Sequence, residues 1–306
     1  MTCNFRYEGD YLVLNQGTYI DKMVGRYLGG SISSHRAVST PCDELLARHV
    51  QDAAANRPKA APELLQSYQS LVGALMYAAS ATRPDVAFAV GMLARAMTFP
   101  TQELWQDATR VLVYLARHRE GGLRFPIGAD GVDGRPGPLT KPILSGLSDS
   151  DWSVRVSTTG ICIFFGEAII AWVSKRQACI ALSSCEAEIM AASAAAVELV
   201  FVRNVLEELG LPADGATRLG VDNSGAVDIA HDPMHRGRTM HIERRHLKVR
   251  ELVSRGIIDV YKEPGETNIA DIFTKPINPR RFQQLRDRVM INCHPIVLIL
   301  SFVKLF

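Results

Sequence analysis

The sequence has no long hydrophobic run, no large excess of either charge and no paired-cysteine pattern, and each absence removes a class of protein. Lys plus Arg less Asp plus Glu is 34 − 32 = +2, so the chain as a whole is no polycation and any nucleic-acid footprint has to be local. Its six cysteines include no Cys-x-x-Cys pair and keep no regular spacing. They make neither a disulfide framework nor a zinc ribbon, and they fit an intracellular, reducing compartment. The first residues, MTCNFRYEGDYLVL, lack an apolar signal core, which speaks against secretion. The longest apolar stretch, Ile296 to Phe306, is too short and too interrupted to cross a bilayer, so no membrane association is expected. No internal repeat recurs at a period of about 20 to 50 residues. What remains, 47% apolar and 22% charged residues in a chain of 306, is ordinary for a folded protein of about two domains.

The clearest punctuation is Pro126 to Pro138 (PIGADGVDGRPGP), where four glycines and three prolines occur without a periodic apolar pattern. That composition builds neither a helix nor a central strand and reads as a linker or long exposed loop. Arg57 to Pro62 (RPKAAP) is a second soft spot. Upstream, the apolar spacing predicts helices. Tyr68 to Tyr77 leads a face of Leu71, Leu75 and Ala78; Asp85 to Met97 carries Val86, Val90, Leu93 and Met97; Leu104 to His118 carries Ala108, Leu112 and Leu115. Pro84 and Pro100 stand at the junctions. Tyr11 to Leu14 reads as a short strand, and the Met and aromatic residues of this half read as core.

Downstream the pattern changes to mixed α/β. Strands are expected at Leu144 to Trp152, Ile161 to Phe165 and Ala168 to Val173, the last two joined by a tight turn at Gly166-Glu167. Ser183-Ser184 followed by Glu186 is helix-start chemistry for a long helix to Leu209, closed by Gly210. A strand at Arg218 to Val221, a basic helix at His241 to Val253, a strand at Ile257 to Tyr261 and a last helix beginning over Asn268 to Thr274 complete the order β-β-β-α-β-α-β-α.

Four carboxylates fall at the ends of these elements. Asp149 ends the first strand, Glu188 lies in the opening turns of the long helix, Asp222 follows the next strand and Asp271 opens the last helix. Strand ends and neighbouring helix starts converge on one edge of a mixed sheet, where ligand sites in open sheets form. Carboxylates gathered there repel one another unless cations neutralise them, and an all-oxygen donor set favours magnesium or manganese over zinc. Two such ions about 4 Å apart can activate a water and stabilise the leaving oxygen of a phosphodiester. Asp149 and Asp151 share strand parity, so alternation does not choose between them.

The segments LSDSDW (147–152), STTGICIFFG (157–166), AWVSKRQACIALSSCEAEIMAAS (171–193), VDNSGAV (221–227), HRGRTMHIERRHLKVRE (235–251) and ADIFTKP (270–276), in this order, resemble the RNase H domain of copia-type retrotransposon Pol polyproteins. Residues 68–125 look like the region joining reverse transcriptase to RNase H in the same family, and residues 9–28 are similar to the end of the polymerase thumb. The resemblance implies a helix-rich, reverse-transcriptase-derived segment at 1–125, a Gly/Pro linker at 126–139, an RNase H-like domain at 140–289 and an unrelated apolar tail at 290–306. The fold class it implies is α/β, a mixed five-stranded sheet with flanking helices. Its first-strand aspartate falls on Asp149, with Asp151 in reserve. Its helix glutamate falls on Glu188, with Glu186 as the alternative, and its third and fourth carboxylates fall on Asp222 and Asp271. It implies hydrolysis of the RNA strand of an RNA–DNA hybrid with two magnesium ions, or manganese, leaving a 3′-hydroxyl. No adjacent Asp-Asp pair occurs in the chain. The polymerase palm is therefore expected to be missing, and a palm and fingers portion encoded upstream is the implied partner.

From His235 to Arg250, six Lys or Arg stand against Glu243 alone, a local 6 − 1 = +5. A charge run is usually a solvated helix face, but this one is unbalanced. Arg236, Arg238, Arg244, Arg245 and Lys248, with His241, are the residues expected to meet phosphates of a hybrid. His231, His235, His241 and His246 do not have structural-zinc spacing, and Cys185 reads as a packed thiol. The rivals are a module that binds hybrid or RNA without cutting it and a decayed retroelement relic without activity. Whether the carboxylates cluster separates the nuclease from the binding module.

Overall fold

A computed structural model describes residues 3–9, 11–126, 143–152, 156–232 and 247–291. Two units separate by their internal contacts, Met1–Pro126 with Asn278–Phe306, and Ile127–Ile277.

In the first unit a small antiparallel sheet runs in the order β1 (Asn4–Glu8), β2 (Tyr11–Asn15), β3 (Gly122–Pro126) and β9 (Met290–Ile291), strands and helices being numbered along the chain. Only β2 is foreseen by local pattern. Its partners come from the far end of the helical run and from the C-terminal region, pairing Leu14 with Leu123 and Leu123 with Met290. The helices are α1 (Gly17–Tyr27), α2 (Leu45–Asn56), α3 (Pro62–Ala81), α4 (Ala87–Ala94) and α5 (Gln102–Arg117). Leu71, Leu75, Ala78, Val86, Val90, Leu93, Ala108, Leu112 and Leu115, the periodic positions, are all buried. The helix expected over Asp85 to Met97 is shorter. Pro84–Val86 forms a 3-10 turn, α4 ends at Ala94, and Met97 is left half-buried beyond it. Pro100 precedes Thr101, whose hydroxyl accepts the Leu104 N–H at 3.3 Å and starts α5.

The last helix, α9 (Pro279–Val289), has Asn278 as its cap and Pro279 in its first turn. By internal contacts it groups with the first unit. Phe282 meets Tyr114 edge-on at 5.9 Å between centroids, and the buried Arg286 donates to the Tyr114 hydroxyl at 3.3 Å.

The second unit is the expected mixed five-stranded sheet with flanking helices. It contains β4 (Leu144–Asp151), β5 (Thr158–Phe165), β6 (Ala168–Arg176), β7 (Thr217–Val221) and β8 (Ile258–Lys262) in the order β6-β5-β4-β7-β8. The first three are antiparallel neighbours, with a register shift at Ile163/Phe164, and β4, β7 and β8 run parallel. Parallel neighbours need crossovers. These contain α6 (Ser184–Glu208) between β6 and β7, then α7 (Ser224–His231) and α8 (Lys248–Ser254) between β7 and β8. Ser183 caps α6 by accepting the Glu186 N–H at 3.1 Å, and Glu186 returns a carboxylate oxygen to the Leu182 N–H at 2.7 Å.

By length and composition α6 is apolar enough to cross a membrane. Here its Ile189, Ala192, Ala195, Ala196 and Leu199 join Ile161, Ile163, Leu219 and Val221 in the core against the sheet. Gly146 permits that approach, since a Cβ there would stand 3.1 Å from Leu199. Where a last helix is expected from Asn268, the chain makes only a 3-10 turn, Ile269–Phe273.

Candidate metal centre

The ladder sets two of the carboxylates side by side. Ser148 of β4 is in register with Val221 of β7, so the next residues, Asp149 and Asp222, emerge together at the carboxyl ends of parallel strands. Glu188, in the second turn of α6, comes onto the same spot, and its Oε1 accepts the Ser150 N–H at 3.2 Å. One oxygen from each of Asp149, Glu188 and Asp222 lies within 4.8 Å of the others. Asp149 and Glu188 are buried and Asp222 is half-exposed, which leaves an opening on the Asp222 side.

Asp271 is placed differently. It is buried at the 3-10 turn, outside that group of three, and is tied to it through Lys275, whose Nζ lies 2.5 Å from Asp271 Oδ1 and 3.6 Å from Asp149 Oδ2. The same turn sends the Thr274 hydroxyl to Asp149 Oδ2. Asn268, fully buried, holds the turn to β4 by donating to the Ser148 carbonyl at 3.0 Å while accepting the Ala270 N–H at 3.1 Å. On the other side Gln177 donates to Ser150, Thr159 and the Ala187 carbonyl at 3.1, 3.2 and 2.9 Å, joining β4, β5 and α6. Thr274 and Lys275 stand in the ADIFTKP segment but are not singled out by sequence reasoning. Asn268 and Gln177 carry no signal beyond being polar next to apolar runs.

The alternatives left open by sequence occupy other positions. Asp151, in the last pair of the β4–β5 ladder, accepts the Thr158 N–H. Glu186 closes the cap of α6. Cys185 packs against the core, and His231 donates to the Val260 carbonyl at 2.7 Å. Lys248 is exposed and paired with Glu251 at 2.6 Å. Arg236, Arg238, His241, Arg244 and Arg245 lie outside the described residues.

Burial pushes the Asp149 carboxyl up to about 7, with Asp271 and Asp222 adding repulsion and Lys275 and the Thr274 hydroxyl opposing. Burial also drives Glu188 up to about 9, reinforced by the charges of Asp149 and Asp222. Glu188 Oε2 is buried without a hydrogen-bond partner, a costly state for a carboxylate oxygen. An all-oxygen set with an unsatisfied inward oxygen fits a hard divalent cation. The triad could hold one.

Gly160, opposite Asp149 in the β4–β5 ladder, sets how closely the 3-10 turn approaches. A Cβ there would stand 2.7 Å from the Ala270 carbonyl oxygen and from Thr274 Cγ2. Gly160→Ala should therefore destabilise the α/β unit by about 1–3 kcal/mol through overpacking. It should also weaken divalent-ion binding, because the turn that braces Asp149 is pushed off β4. Urea denaturation and a manganese titration of the same variant check both effects.

No protein-family model matches the sequence. The Retrovirus-related Pol polyprotein from transposon TNT 1-94 of Nicotiana tabacum is 33% identical over 286 residues, 91% of this chain and 20% of that one. The Retrovirus-related Pol polyprotein from transposon RE2 of Arabidopsis thaliana is 31% identical over 226 residues, 72% of this chain and 15% of that one. Over most of its length the chain is homologous to copia-type retrovirus-related Pol polyproteins. The chain spans about a fifth or less of the length of these relatives. Among solved structures, foamy viral protease-reverse transcriptase in complex with RNA/DNA hybrid aligns with 73% of this chain and 27% of that one. Its TM-score is 0.37 and its identity 10%, too loose a likeness to carry weight.

Proposed function

We propose that the α/β unit hydrolyses the RNA strand of RNA–DNA hybrids in a metal-dependent reaction, as the RNase H part of a retroelement Pol polyprotein. The observation that carries the reading is the convergence of Asp149, Glu188 and Asp222 at the carboxyl ends of β4 and β7. Similarity to Pol polyproteins over most of the chain supports it.

In this reading Asp149, Glu188 and Asp222 hold magnesium, or manganese, and Asp271 completes the carboxylate set on the far side of Asp149. Asp149 and Asp271 would hold the second of the two ions that the sequence leads one to expect. Bound divalent cations supply Lewis-acid stabilisation of the phosphodiester and lower the pKa of the attacking water. The chain's own contribution is orientation. Thr274 fixes the Asp149 carboxylate, the Ser150 N–H fixes Glu188 and leaves its Oε2 directed elsewhere, and Asn268 fixes the strand end that bears Asp149. Arg236, Arg238, His241, Arg244, Arg245 and Lys248 would grip the hybrid backbone without reading sequence. Polymerase activity is not part of the reading, and a palm and fingers portion encoded upstream is the proposed protein partner.

The test is cleavage of a labelled RNA–DNA hybrid by the full chain in magnesium, beside single-stranded RNA, duplex DNA and a chelator control. Hybrid-specific cutting that disappears with chelator, yielding fragments with 3′-hydroxyls, is expected. Binding without cutting, in folded protein with either magnesium or manganese, would overturn the nuclease reading and leave a hybrid-binding module.

A further inference from the structure

The helix that carries Glu188 leaves one of its faces bare. Along α6 an apolar stripe runs at steps of three and four through Ala194, Val197, Phe201 and Val205, continued by Leu209 at the C-cap. Val197, Phe201, Val205 and Leu209 are 50%, 64%, 39% and 68% exposed. The stripe is about 22 Å long at 1.5 Å per residue, and contiguous exposed apolar surface marks an interaction site. At its Ala194 end it opens into a groove of about 330 Å³ between α6 and strands β5 and β6, lined by Ile161, Val173 and Met190.

Charge decides what covers it. Lys175 and Arg176, both exposed, stand on β6 at the groove end. Glu208, also exposed, lies at the opposite end, three residues past Val205 on the same face. None of the three has an ion-pair partner among the described residues. An apolar stripe with cations at one end and an anion at the other is complementary to itself turned end for end. We infer that two copies of this chain pair antiparallel along the outer face of α6, Phe201 against Phe201, each Glu208 meeting Lys175 and Arg176 of the partner subunit. In that register Val197 falls opposite Val205, and the exposed Glu198 falls opposite Asn204. A nucleic acid or an anionic lipid surface would meet Glu198 and Glu208 on the same face, and a helix of uniform charge would meet its own sign at one end. The contact is isologous and closes at two chains. One helix face per chain lies near or below the lower end, about 1,200 Å², of stable interfaces, so the pairing is weak and concentration-dependent. Rim charges fix partner and register more than affinity, which makes them the test.

The experiment is sedimentation velocity of the full chain from about 1 to 100 μM. The wild type is expected to show a monomer–dimer equilibrium, and Phe201→Ser to weaken it by about tenfold or more. Glu208→Lys in one chain, and Lys175→Glu with Arg176→Glu in another, are each expected to weaken self-pairing by about tenfold or more, because like charges then meet at both ends. Mixed in equal amounts, those two charge variants should pair within about threefold of the wild type, since opposite signs meet at each end again. All four side chains are exposed, so the substitutions leave the fold intact, and circular dichroism verifies it. A wild type that stays monomeric throughout, a dimer indifferent to Phe201→Ser, or a mixture that pairs no better than its separate components would each overturn the inference. The nuclease reading stands on other residues and is untouched by any of these results.

Discussion

On the proposed nuclease reading, Asp149→Asn should lower cleavage of the hybrid by about a thousandfold or more, since several kcal/mol of transition-state stabilisation would depend on a metal held by its carboxylate. The same substitution should make the metal-free protein more stable. Asn keeps the shape and can still accept from the Thr274 hydroxyl, but it removes a buried charge that faces Glu188, Asp222 and Asp271. In the wild type Asp149 and Glu188 are displaced upward, to about 7 and about 9, from a carboxyl range near 4. Between those limits the folded state holds more protons than the unfolded chain. Stability is therefore fully present below the unfolded value and is lost as pH rises through the folded one. The metal-free wild type should melt at progressively lower temperature between about pH 5 and pH 8, and Asp149→Asn should show a shallower decline. Magnesium should raise the wild-type transition more at the upper end of that range and leave the variant nearly unmoved. Thermal melts in chelator and in magnesium across the range check this. A flat wild-type profile, or a variant that cuts normally, would count against the centre.

The convergence of Asp149, Glu188 and Asp222 was legible because strand ends and helix starts leave local signatures, and the edge of the sheet collects them, whereas Asp271 sits at a 3-10 turn outside that group. Which neighbour of each pair faces inward was only partly legible. Glu186 and Glu188, two residues apart on a helix, point to different faces, and the Ser183-x-x-Glu186 capping pattern already gives Glu186 a local role. Asp149 and Asp151 share a face, and what separates them is distance along the strand to the 3-10 turn, a contact between residues more than a hundred positions apart. Lys275 and Asn268 act through equally distant partners, and Gln177 through partners on three different elements, so no local pattern announces them. The four-stranded sheet of the first unit is invisible for the same reason, as β2 pairs with β3 across the whole helical run. The helix at Pro279–Val289 is another matter. Asn278 before Pro279 is a plain start signal, and the apolar run toward the C-terminus draws attention away from it.

Arg83→Met should cost the first unit about 3–5 kcal/mol, the loss expected when one member of a buried ion pair is removed and the other stays. Arg83 and Asp85 are wholly buried, and the guanidinium holds both carboxylate oxygens, at 2.9 and 2.8 Å. Arg83 also donates to the His118 carbonyl at 2.9 Å, and the Tyr114 hydroxyl donates to Asp85 at 2.7 Å, so the pair knits the turn before α4 to the end of α5. Burial alone would push the Asp85 carboxyl up, but Arg83 and the Tyr114 hydroxyl hold it below its ordinary value. A depressed carboxyl contributes stability that is present above the unfolded pKa and lost as pH falls through the folded one. Without Arg83 burial prevails and Asp85 takes up a proton more readily. The variant's deficit should therefore be largest near pH 7 and shrink toward about pH 4–5. Hydrogen exchange at the amides of α3 and α5 reads this unit separately from the α/β one and gives the size of the loss. Asp85→Leu added to Arg83→Met should recover most of it, because two apolar side chains of similar volume leave no unpaired charge. A double variant as unstable as Arg83→Met would mean that the carbonyl contact at His118, rather than the ion pair, carries the energy.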